Sequence, residues 1–194
     1  MLEKLRRWWG GYLASIPKSD VVDSIPESQW GRADLLPPVS KAKRQAFTEL
    51  LELIHAHRPP AEAQASVAAG VQAFTRADEP DLALIAALFP DDGRESAAAR
   101  GCILSDWKDA REVQWQADAL CVAHGLPRGW QAPEGSLPSV LSSFAVWLQG
   151  HGRELLCLAE GDATVAFALS PPQAIAARAL CKRLRLVLRR ADET

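Results

Sequence analysis

Three carboxylates stand where chemistry is possible: Asp106 at the end of an apolar run, Glu112 in the opening turn of a helix, and Asp162 at a hairpin tip. Brought together, they would suit Mg²⁺ or general acid–base work, the equipment of a metal-assisted hydrolase. The segment Asp106-Trp107-Lys108-Asp109 joins a strand end to a helix start, where unpaired amide N–H groups often meet ligands. A plainer assignment has Asp109 capping the helix, Lys108 in solvent and Trp107 packed. A second set, Arg178, Lys182 and Arg185, shares one helical stripe and could grip phosphates, as a weak nucleic-acid binder would. Against this, Phe167 is the only aromatic in the expected hairpin strands, so an RNA-stacking platform is missing. A net charge of −2 and a pI near 6.1 also give no bulk attraction to nucleic acid. Nucleic acid is therefore not the expected partner.

The histidines and cysteines point to little chemistry. His55 and His57 are two apart, so on a helix their rings point about 200° apart and cannot share a metal. Both fit a last helical turn, whose negative end favours imidazolium, and His124 fits the same place on another helix. Cys102, Cys121, Cys157 and Cys181 have no zinc-hairpin spacing and lie in apolar segments, so buried reduced thiols are expected. The recognisable phosphate-loop, dinucleotide, nucleophile-elbow and zinc-protease motifs do not occur. No cofactor or metal is expected, and an enzyme is the less favoured reading.

Tryptophan is over-used, with seven against one tyrosine. Trp8, Trp9, Trp30 and Trp130 fall in segments that read as peripheral, and Trp115 lies off the apolar stripe of its helix. Exposed aromatics mark contact surfaces, so these five are the candidate interaction residues.

The elements that must position these residues follow from periodicity. The chain has 194 residues, enough for one domain with a small appendage. Residues 1–39 read as a short helix followed by a proline-rich arm, and 40–194 as one globular domain. In its helical part, 40–100, Ser40 caps a helix to about His57, a second helix runs over 61–76 and a third over 80–89. In its sheet part, 101–194, a strand at Cys102–Trp107 leads to a helix from Asp109 to His124. A second helix ends at Gly150. Strands Glu154–Ala159 and Thr164–Leu169 flank Glu160-Gly161-Asp162, a hairpin signal. A helix from Pro171 to about Leu184 and a short strand Leu186–Leu188 complete the order β-α-α-β-β-α-β. The fold class is thus α+β, a helical N-terminal half packed on a small ferredoxin-like sheet half. The runs Leu155–Leu158 and Val165–Leu169 are apolar on both faces, which requires cover on both sides of the sheet.

Asp106-Trp107-Lys108-Asp109, Val113-Gln114-Trp115-Gln116, the Gly125-Leu126-Pro127 exit, the Leu141 to Trp147-Leu148 helix and the Leu155–Leu158 strand turning at Gly161-Asp162 form a pattern. Over about residues 100–185 it resembles a bacterial family described only as a domain of unknown function. That resemblance implies an α+β domain and supplies no activity. The helices at 40–89 match no motif of it.

The absence of Asn and the excess of Arg over Lys fit a GC-rich bacterial genome. No stretch reaches the roughly 18 apolar residues of a membrane span, and the N-terminus lacks the apolar core of a secretory signal, so a cytoplasmic protein is expected. The leading expectation is a non-catalytic protein-interaction module, adaptor or immunity-like, with an unknown protein partner. A homodimer through a sheet edge is a further option.

Overall fold

The computed structural model describes residues 39–77, 79–88, 101–106, 110–160 and 163–193. By its contacts the chain divides into Met1–Pro38 and Val39–Thr194, and the described residues belong to the second unit. Trp8, Trp9, Trp30, Trp107, Asp109 and Asp162 lie outside the described residues.

Helix α1, Lys41–His55, begins where the Ser40 hydroxyl accepts the Lys43 N–H at 3.2 Å. This satisfies one of the orphan donors of the first turn. Ala46, Phe47, Leu50, Leu51 and Ile54 recur at helical spacing and are all buried. Helices α2, Pro60–Ala77, and α3, Pro80–Leu88, each open on a proline, whose missing N–H costs nothing there.

Strand β1, Cys102–Asp106, is followed by a 3₁₀ turn, Ala110–Glu112, and then by α4, Val113–Ala123. The regular helix thus begins later than the Asp109 start read from the sequence. Helix α5, Leu137–Gln149, leads through a glycine turn into the hairpin of β2, Glu154–Glu160, and β3, Ala163–Leu169. Helix α6, Pro171–Leu184, carries a reciprocal capping box between Ser170 and Gln173. It ends at Arg185 in the left-handed conformation, φ 63°, with the Leu186 N–H returning to the Cys181 carbonyl at 2.9 Å. That closure draws Leu186 into the core, so β4 forms at Leu188–Arg190 rather than at Leu186–Leu188.

Among the described residues the sheet has the order β1-β3-β2-β4, and every neighbouring pair is antiparallel. The fold is α+β. The ferredoxin-like ordering is not confirmed: the expected succession of elements is present, but no parallel pair exists in this sheet. Leu156, Leu158, Val165, Phe167 and Leu169 face α1, α2, α3 and α6. Ile103, Leu155, Cys157, Ala166 and Ala168 alternate with them and face α4 and α5. The period of two sends successive side chains into different cores, which is why an unbroken apolar run is stable here. The helical first half does cover one face, with α6 from the second half joining it there.

Candidate functional site

A cavity of about 140 Å³ opens at the end of the sheet where β1 and β2 begin and β3 ends. Leu53, Ala56, Ala168 and Leu169 form its apolar lining, and His57, His124, Arg153 and Gln173 its polar lining. Each polar group is delivered by the end of an element. His57 follows α1, and His124 caps the end of α4. Past α5, Gly152 takes φ +70°, and the Arg153 N–H bonds back to the Leu148 carbonyl at 3.0 Å. A glycine suits that left-handed turn, which sets Arg153 at the start of β2. Gln173 is held in the capping box, its Oε1 accepting from Ser170 N at 3.0 Å and from Ser170 Oγ at 2.7 Å.

The rings of His57 and His124 stack with centroids 4.1 Å apart and planes 29° apart. Gly101, just ahead of β1, makes room for them. Its φ is +74°, and a Cβ placed there would lie 2.6 Å from His57 Nε2 and 3.1 Å from His124 Nε2. Burial pushes the His124 imidazole down from 6.5 to about 3, with the neighbouring His57 and then Arg153 adding to the effect. The Gly101 backbone pulls the other way, but both His124 ring nitrogens are buried without a full hydrogen bond among the described residues. His124 is therefore neutral at pH 7. His55 is fully buried within α1.

The sequence candidates fall elsewhere. Asp106 pairs across the sheet with Ala163, at the hairpin end, roughly 13 Å along β1 from the cavity end. Glu112 sits in the 3₁₀ turn before α4, and Asp162 lies outside the described residues. Among the described residues, no group of three or more His, Cys, Asp or Glu could hold a metal ion. Arg178 is joined to Glu154 of β2 at 2.6 Å, while Lys182 and Arg185 are exposed. The basic stripe thus spends its first member on an ion pair within the fold.

Trp115 is 39% exposed, and Val122, seven residues on and on the same side of α4, is 52% exposed. Trp130 differs: it is buried, its ring 4.8 Å from Phe144 and its Nε1–H donating to Ser143 Oγ at 3.3 Å. Its loop reads as peripheral in the sequence, but Gln114 pins it to α4. Gln114 Nε2 donates to the Trp130 carbonyl at 3.0 Å, and its Oε1 accepts the Ala132 N–H at 2.7 Å. Trp130 therefore serves the core, not an exposed contact.

Gln116 does the same to β1. It is fully buried, accepts the Leu104 N–H at 2.7 Å and donates to the Leu104 carbonyl at 2.9 Å. A side-chain amide so placed imitates a neighbouring strand and occupies part of a sheet edge. The signal for it was legible, since Gln116 adjoins Ala117 on the buried stripe with Val113 and Leu120, and a buried amide needs partners. No comparable signal joins His57 to His124.

Residues 35–191 match the family model described as Domain of unknown function (DUF6630), and the chain belongs to that family. The match takes in the helices of the first half as well as the sheet part. No curated protein and no solved structure matches the chain.

Proposed function

We propose that this member of the family is a non-catalytic protein-interaction module, adaptor or immunity-like, that docks a partner protein on the outer face of α4. The observation that carries the reading is the exposed indole of Trp115, with Val122 on the same side of the helix. Large aromatics anchor interfaces because they bury much area with few rotors to fix. Gln116 occupies the Leu104 groups on the β1 edge, which turns the reading away from strand addition there and towards a helix face. A reducing, cytoplasmic setting fits four free, buried cysteines.

The test compares affinity capture by the full chain with capture by Trp115→Glu and by Ile175→Glu, an exposed apolar position on α6. A partner held by the natural chain and by the Ile175 variant, but lost with Trp115→Glu, is the expected result. Equal recovery with all three chains, or no partner at all, overturns the assignment. Among the described residues no helix is long and apolar enough to cross a membrane.

A further inference from the structure

We propose that the cavity beside His57 and His124 binds a small organic carboxylate with a short apolar tail. The site is distinct from the α4 face and independent of it. Its lining is mixed: Leu53, Ala56, Ala168 and Leu169 are apolar, and His57, His124, Arg153 and Gln173 are polar. A ligand with one charged group and a short oily tail matches both kinds of lining. The volume, about 140 Å³, is below the roughly 300 Å³ at which drug-sized ligands begin, so the occupant has few heavy atoms.

The charged end is set by Arg153. Among the described residues no carboxylate lines the cavity and the Arg153 side chain has no ion-pair partner. A guanidinium offers a planar fork of donors that matches a carboxylate with two parallel hydrogen bonds. Gln173 has committed its Oε1 to Ser170, which leaves the Nε2 amide as the donor it can offer. His124 brings two buried ring nitrogens with no full hydrogen bond.

The same surroundings disfavour a phosphate dianion. Helices α1 and α4 both end at the cavity and bring partial negative charge to it. Helix α6 begins there, but Pro171 and Pro172 carry no N–H, and the Gln173 N–H is taken by the Ser170 hydroxyl. The amide cluster that phosphate sites use is therefore missing from this helix start. A monoanion paired with one arginine fits better. A bound carboxylate would also favour protonation of His124 beside it.

The experiment is an NMR titration of the full chain with butyrate, with butyramide and inorganic phosphate as comparison probes. Butyrate is expected to saturate, with a Kd on the order of 1 mM, and to move the ring signals of His57 and His124. It should also raise the pH at which His124 titrates. Arg153→Gln should weaken butyrate about tenfold or more, and Lys182→Gln should leave it unchanged. The proposal is overturned if butyrate shows no saturable shift, if butyramide or phosphate moves the same signals as tightly, or if a folded Arg153→Gln chain retains full affinity. Loss of partner capture in Trp115→Glu has no bearing on this titration, so the two readings fail separately.

Discussion

His57 and His124 stack at 4.1 Å, although they follow the ends of helices in opposite halves of the chain. The contact ties the end of α1 to the end of α4 around the sheet edge, and burial keeps the His124 ring unprotonated down to about pH 3. In the unfolded chain the ring takes a proton near its ordinary 6.5. Between these values the unfolded state binds more protons than the folded state. The contribution of His124 is complete above about pH 6.5 and is lost as pH falls towards 3, by up to about 1.4 kcal/mol per pH unit. Below that both states are protonated and no more is lost. Urea midpoints taken from pH 7.5 down to about 4.5 should fall along this slope, and His124→Gln should flatten part of it. Identical slopes for the two chains would refute the assignment.

Gly101 should tolerate no side chain. Its φ of +74° and the nearness of both imidazoles combine a backbone penalty with a steric one. Gly101→Ala is expected to lose about 1–3 kcal/mol in urea or guanidinium unfolding. The His57 and His124 ring signals should shift with it, since those rings must move aside.

Removing the amide of Gln116 exposes Leu104. Gln116→Leu keeps most of the volume but leaves the Leu104 N–H and carbonyl without their partner. Stability should fall by about 2–4 kcal/mol, given roughly 1–3 kcal/mol for each buried group left unsatisfied. The edge also becomes open to another strand, so sedimentation should show self-association that grows with concentration. A variant that remains monomeric and as stable as the natural chain would show that the amide does not guard the edge.

The two tryptophans near α4 should respond in opposite ways. Trp130→Ala empties a buried site against Phe144 and should cost about 3–5 kcal/mol. Trp115→Ala removes a partly exposed ring and should stay within about 0.5 kcal/mol. Thermal or denaturant unfolding of both variants separates a core residue from a docking residue.

Local features were the legible ones. Ser40 announced the start of α1, the unbroken apolar runs Leu155–Leu158 and Val165–Leu169 announced a sheet covered on both sides, and Glu160-Gly161-Asp162 separated the hairpin strands. What spacing does not encode is which distant elements meet. The pairing of β1 with β3, in an antiparallel order unlike the ferredoxin-like expectation, depends on long-range packing. The displacement of β4 to Leu188–Arg190 follows from Leu186 closing α6, a hydrogen bond decided by the conformation of Arg185. The cavity was hidden for the same reason: His57, His124, Arg153 and Gln173 come from four separate element ends, and each reads alone as ordinary punctuation. Trp130 was misplaced because a loop rich in proline and glycine looks peripheral until Gln114 is seen to hold it.

Gln114 and Gln116 bracket Trp115, one fastened to the loop and the other to the sheet. The first turns of α4 are thereby anchored on both flanks and have little freedom to rock. An indole mounted on such a footing samples few orientations before anything meets it. Association on this face would then forfeit little motional freedom on the protein's side, and complexes formed there should owe their persistence to slow release rather than to fast encounter.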